Sequence, residues 1–180
     1  SAASDVYKRQ DETFAAARGN MVIIDDVIYA VCYNRWAVTW LEKSEDFGRS
    51  WEVVSWLDER LWTNQIECGR INEASLGYYD GKMYVVGRQQ SENGDNRLEI
   101  GVSEDLGVTW TWSFLPIEGH APSLTPYKDA FILTYRNVKD SNRGKYSFDT
   151  VLLKDGKLAS NPASLFESDN FDVGYGDVLT

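Results

Sequence analysis

From Met21 onward apolar and polar residues alternate in short runs broken by turn residues, and no stretch carries a helical period. The runs fall into groups of four. Met21–Ile24, Val27–Tyr33, Ala37–Lys43 and Trp51–Trp56 form the first group. Ala74–Tyr78, Lys82–Gly87, Arg97–Ser103 and Trp110–Phe114 form the second. Pro122–Thr125, Ala130–Tyr135 and Lys145–Leu153 begin a third, whose fourth strand the pattern leaves undefined. The clearest stretch runs from Asn72 to Arg88 and reads as strand, Asp80-Gly81 turn, strand, which is a β-hairpin. Its antiparallel geometry sets Glu73, at the start of one strand, beside Arg88, at the end of the other.

The hairpin recurs. Leu76 to Arg88 is 12 residues, and so is Leu124 to Arg136; the anchors Val22, Leu76, Leu124 and Val178 stand 54, 48 and 54 apart. Similarity at this period, with four strands per unit, is the signature of an all-β, four-stranded-blade β-propeller. A β-sandwich is the rival all-β reading, but it leaves recurrent units unexplained. About three such blades are present.

Two segments share Ser-x-Asp-x-Gly-x-(Ser/Thr)-Trp, 59 residues apart: Ser44, Asp46, Gly48 and Trp51, then Ser103, Asp105, Gly107 and Trp110. Each joins the third and fourth strands of its unit. Ser and Asp can bond turn N–H groups, Gly supplies a positive φ, and Trp can dock on the sheet, so the role is structural. The third unit has no clean copy, and Lys154-Asp155-Gly156-Lys157 is the candidate for its turn. The motif resembles the Asp-box, or BNR repeat, of sialidases and related propellers, and the sialidase resemblance implies six blades in all.

Strand parity sorts the remaining residues. In a four-stranded meander the start of strand one and the end of strand two share a face with the loops holding Trp62, Arg70, His120 and Arg143. Both Asp-box turns lie at the other face. Three residues before each anchor stand Gly19, Glu73, Ala121 and Tyr175, so Glu73 and Tyr175 are equivalent positions two units apart. Arg88 and Arg136 are equivalent positions one unit apart. A Glu, a Tyr and several Arg converging on a propeller axis resemble a sialidase (neuraminidase) active site. That resemblance implies a retaining glycoside hydrolase that removes terminal sialic acid or a related acidic sugar from glycans. It implies Tyr175 as nucleophile, Glu73 as its base, Arg88 with Arg136 or Arg143 on the sugar carboxylate, and His120 lining the site. Repeat equivalence favours Arg136 over Arg143. The family's first arginine and acid–base Asp would precede this segment, and Gly174-Tyr175-Gly176-Asp177 lacks the Ser that often follows the Tyr. Each residue also has a plain structural alternative. Glu73 can satisfy loop N–H groups, Arg88 can pair with Glu92 or Asp95, and Tyr175 can be a core aromatic. A non-catalytic glycan-binding propeller and a protein-interaction propeller are the alternative functions.

Charge and composition narrow the partners. Lys and Arg number 18 against 28 Asp and Glu, a net charge of −10, which disfavours nucleic acid because that affinity depends on phosphate neutralisation. No apolar run reaches the length of a membrane span. Cys32 and Cys68 lack metal-ligand spacing and are either buried thiols or one disulfide. No metal or cofactor is expected. Ser1–Gln10 resembles a translated sequencing-library adapter, so the propeller segment is read as 11–180. The family resemblance implies an extracellular or periplasmic setting.

Overall fold

The computed structural model describes residues 15–17, 20–34, 38–57, 70–90, 96–137 and 146–169, and among these every regular element is a β-strand. The first repeat comprises β1 (Ala15–Ala17), β2 (Val22–Ile24), β3 (Val27–Asn34), β4 (Thr39–Ser44) and β5 (Glu52–Trp56). β1 and β2 both pair with β3, so together they act as its inner strand. The second repeat runs through β6 (Arg70–Tyr79), β7 (Lys82–Gln90), β8 (Arg97–Ser103) and the first half of β9 (Thr111–Tyr127). The third takes the second half of β9, then β10 (Ala130–Asn137), β11 (Tyr146–Lys154), β12 (Lys157–Leu158) and β13 (Ala163–Ser168). All of these neighbours pair antiparallel, so each repeat is a meander: the blade of a β-propeller.

The alternation read from sequence thus places the blades, with two differences. β9 is one continuous strand of 17 residues serving two repeats. Glu118 pairs with Arg97 of β8, and the next residue, Gly119, pairs with Asn137 of β10. The pattern suggests two strands because polar Glu118 and Gly119 interrupt it; the flanking Leu115 and Ile117 are nevertheless buried. The missing fourth strand of the third repeat is β12 with β13, both paired to β11. Leu165 and Phe166 of β13 are exposed, which weakens its period-two signal. The Lys154–Lys157 segment forms the two-residue Asp155-Gly156 turn, both residues at positive φ, between β11 and β12.

Period-two burial builds two cores, one on each face of the second blade. Met83 and Val85 of β7 pack with Leu76, Leu41, Val31 and Ile24 toward the first repeat. Tyr84 and Val86, the alternate residues, pack with Leu98, Ile100, Leu124, Phe131 and Leu133 toward the third. A one-residue slip of β7 would exchange these sets, so both neighbouring blades hold its register. Polar bonds cross the same interfaces. The Leu124 N–H donates to Ser75 Oγ (3.0 Å), and Thr39 Oγ1 donates to the Ile71 carbonyl (2.5 Å). Cys32 is a buried free thiol that donates to Glu42 Oε1 at 3.2 Å, and burial holds its pKa far above the ordinary thiol value.

Candidate functional site

The hairpin register separates the two ends of each blade. Met83 pairs with Ser103 near the Asp80-Gly81 turn, whereas Arg88, five residues further along β7, pairs with Leu98 and Asn72. At about 3.3 Å per residue the second Ser-Asp turn and Arg88 are roughly 17 Å apart. The Lys82–Glu104 ion pair (2.6 Å) ties that turn to the hairpin tip at its own end.

The two Ser-Asp turns are alike bond by bond. Ser44 Oγ donates to Asp46 Oδ1 (2.9 Å) and accepts from Gly48 N (2.8 Å); Ser103 Oγ does the same with Asp105 (2.7 Å) and Gly107 (2.8 Å). Asp46 accepts from the N–H and hydroxyl of Ser50, and Asp105 from those of Thr109, at 2.8 and 2.6 Å in each. These bonds bring both carboxyl pKa values down to about 2. Trp51 and Trp110 cap the turns by donating Nε1–H to the Gly48 and Gly107 carbonyls. Their packing differs. Trp110 lies against the core between the first two repeats and reaches Ser55 Oγ at 3.1 Å, while Trp51 is 37% exposed. Trp110 thus docks on the neighbouring blade, as expected of these indoles, while Trp51 caps its own turn at the surface.

At the opposite end the repeats share a backbone distortion. Between Asn72 and Ser75, β6 carries one residue more than β7, and between His120 and Ser123, β9 carries one more than β10. The residue after the last ladder pair takes a left-handed conformation in each bulge: Glu73 at φ 49 and Ala121 at φ 56. Non-glycine residues in this region carry strain, and bulges re-aim the side chains beside them. The 48-residue repeat therefore extends to backbone geometry: Asn72 matches His120, Glu73 matches Ala121, and Arg88 matches Arg136.

Glu73, Arg88, His120 and Arg136 come together there. Arg88 Nη1 lies 3.8 Å from Glu73 Oε2, which also accepts the Ala121 N–H at 3.1 Å. Glu73 thus bonds an N–H in the bulge of β9 as well as facing Arg88. His120 is buried, with Nε2 3.4 Å from Asn96 Oδ1, and Arg136 is buried across the ladder from it. Burial first, then the charges of Arg88 and Arg136, bring the imidazole pKa down to about 4, so His120 is neutral near pH 7. The Arg88 Nε and His120 Nδ1 atoms are buried with no hydrogen-bond partner among the described residues. Tyr175, Arg143, Gly19, Trp62, Cys68, Glu92 and Asp95 lie outside the described residues, as does the side chain of Arg70. Asn96 and the Ala121 N–H carry no sequence signal for their part in the cluster. Asn72 does carry one, through its repeat match to His120. No group of three or more His, Cys, Asp or Glu with metal-binding geometry occurs among the described residues. No helix among them is long and apolar enough to cross a membrane.

No protein-family model matches the chain, and no curated protein is recognisably similar to it. Solved structures are similar in fold. A GH43_1 enzyme from Xanthomonas citri superposes with a TM-score of 0.67 at 12% identity, over 85% of this chain and 56% of that one. The α-L-arabinofuranosidase Arb93A from Fusarium graminearum gives 0.63 at 18% identity, over 91% and 51%. Zg3597, a family 117 glycoside hydrolase from the marine bacterium Zobellia galactanivorans, gives 0.60 at 14%, over 78% and 53%. The chain spans about half the length of each of these three. At such identities the likeness speaks for the β-propeller fold.

Proposed function

We propose that this propeller is a glycoside hydrolase of the sialidase type, which removes a terminal acidic sugar with retention of configuration. The observation that carries the reading is the gathering of Glu73 and the repeat-equivalent Arg88 and Arg136 around one buried histidine, beside the strained bulges at Glu73 and Ala121 and at the end away from the second Ser-Asp turn. The turns themselves support it, since two bond-for-bond copies fit the Asp-box motif of that family. The fold shared with several glycoside hydrolases is compatible with it.

The proposed chemistry follows from the charge of the substrate. A sialic acid carries a carboxylate on its anomeric carbon, so a carboxylate nucleophile would meet a like charge. At about 4 Å and an effective dielectric near 20 this repulsion is on the order of 4 kcal/mol, roughly a thousandfold in rate. A neutral phenol avoids it, and sialidases are the known tyrosine exception among retaining glycosidases. Tyr175 is the proposed nucleophile and Glu73 the base that takes its proton, because a phenol with a pKa near 10 attacks weakly unaided. Arg88, with Arg136 or Arg143, holds the carboxylate through a fork that Lys cannot reproduce. His120, neutral and buried, lines the site as a hydrogen-bonding group. The second reading, a non-catalytic glycan-binding or protein-interaction propeller, draws support from the Ala121 N–H on Glu73 Oε2, which occupies part of the proposed base.

A 3-fluorinated sialoside traps the glycosyl-enzyme intermediate. Digestion and mass spectrometry are expected to find the sugar on the peptide containing Tyr175, and Tyr175→Phe is expected to abolish the label while product still binds. A label on any other residue, or turnover by Tyr175→Phe, would refute the catalytic assignment. Binding of product without labelling of the wild type would select the glycan-binding alternative.

A further inference from the structure

A cavity of about 410 Å³ opens between the second and third repeats, one step along the ladder from the axial cluster. Glu118 and Asn137 on its wall adjoin Gly119 and Arg136, and Gly119 pairs with Asn137 just as His120 pairs with Arg136. Tyr135 and Asn137 flank Arg136 in β10, so strand alternation turns them toward the second repeat and away from the face of Arg136. Asp149 of β11, the ladder partner of Tyr135, and Arg97 of β8 complete the polar wall. Pro116 and Ile117 of β9 supply an apolar surface opposite. A second cavity of about 630 Å³ shares Pro116, Ile117 and Pro162 with the first, which prolongs the groove outward along the interface between blades.

Asp149 is the unusual member. It is 5% exposed; its Oδ2 accepts from Asn137 Nδ2 at 2.7 Å, yet its Oδ1 is buried without a hydrogen-bond partner among the described residues. A buried carboxylate oxygen is costly to leave without a donor. Among the described residues no group of His, Cys, Asp or Glu with metal-binding geometry gathers here. An O–H or N–H group brought by a ligand would supply the donor. Burial and the neighbouring Asp149 charge push the Tyr135 phenol well above its ordinary pKa, so Tyr135 keeps its proton and remains a donor. Buried acceptor, protonated hydroxyl and flat apolar wall match the hydroxyls, ring oxygen and C–H face of a sugar.

We propose that this cleft is a subsite for a second, neutral sugar residue, the ring to which the axial sugar is attached, with Asp149 Oδ1 accepting its hydroxyls. The inference rests on the glycan reading of the axial cluster and adds the leaving-group side of the substrate. It predicts selection by the penultimate sugar as well as by the terminal one.

The test measures binding of 3′-sialyllactose, free sialic acid and lactose to the chain by titration calorimetry and ligand-observed NMR. Wild type is expected to hold sialyllactose about tenfold more tightly than sialic acid. Asp149→Asn is expected to erase that advantage without changing the affinity for sialic acid, whereas Arg88→Lys weakens both acidic ligands. Pro116→Arg, at an exposed position on the cleft wall, gives a second variant that fills the groove without touching its polar core. It should abolish the advantage too. If sialyllactose and sialic acid bind equally well to wild type, or if both variants keep the advantage, the cleft holds water only and the proposal is overturned. If neither acidic ligand binds, the acidic-sugar reading fails and lactose alone decides the subsite. Lactose saturation-transfer signals lost in Asp149→Asn and Pro116→Arg would uphold it, and their absence in wild type would overturn it.

Discussion

His120 shows how a single residue reports its surroundings. In an unfolded chain its imidazole titrates near 6.5, and in the fold near 4, because burial and two guanidiniums oppose the cation. The unfolded state therefore binds the proton first. The stability that His120 contributes is complete above pH 6.5 and is lost as pH falls toward 4, by about 3 kcal/mol over the full window. His120→Asn, which installs the residue found at the matching position of the preceding repeat, should remove this dependence. Urea midpoints of wild type and variant should diverge as pH falls from 7 to 4.5, with wild type losing more. A constant difference would mean that the histidine charges freely. The proposed carboxylate site has its own residue-scale test. Arg88→Lys should weaken sialic acid binding by tenfold or more despite conserving charge, since the planar fork is lost. An unchanged dissociation constant would remove Arg88 from the site.

At the scale of the element, the two Ser-Asp turns separate intrinsic geometry from packing. Gly48 and Gly107 have the same left-handed backbone, φ 82 and 87. A Cβ on Gly48 would meet only Trp51 at an ordinary 3.6 Å, whereas one on Gly107 would fall 2.0 Å from Leu41 Cδ2. Gly48→Ala should therefore cost about 1 kcal/mol of backbone strain, and Gly107→Ala distinctly more. The tryptophans should diverge in the same way. Trp110→Ala removes an indole packed between repeats, at about 3 kcal/mol, while Trp51→Ala at an exposed site should cost under about 1 kcal/mol. Thermal melts of the four variants check this ordering, and equal losses at the two turns would contradict it. Neither tryptophan change should alter ligand affinity, because the second turn lies roughly 17 Å along its blade from Arg88 and the first belongs to another blade.

Across the whole molecule, the repeats are held by contacts that cross from one blade to the next. Ser75 Oγ receives the Leu124 N–H in a fully buried bond, and Ser55 Oγ links the Gly107 carbonyl to the Trp110 indole. Ser75→Ala strands a buried N–H and should cost about 1–3 kcal/mol, with faster hydrogen exchange at Leu124. A protected Leu124 amide in that variant would mean that the blades hold together without this bond. The second blade, with a core on each face, is the unit on which its neighbours depend, as expected where each repeat contacts only the next.

Much of this architecture is local and so is legible in the sequence. Period-two alternation, Asp80-Gly81, and the Ser-x-Asp-x-Gly-x-(Ser/Thr)-Trp turns each act within a few residues, and the 48-residue spacing carries the equivalence of Arg88 and Arg136. What the sequence could not decide depends on residues far apart in the chain. Whether Trp51 is covered depends on a neighbouring blade, and the continuity of β9 depends on β8 and β10 gripping it from opposite sides. The strain at Glu73 and Ala121 arises from a mismatch of one residue between paired strands, which no residue type announces when neither position is glycine. The pKa of His120 and the Asp149 cleft exist only once separate repeats have brought their charges and their walls together, since electrostatics and enclosed volume are properties of distance in space.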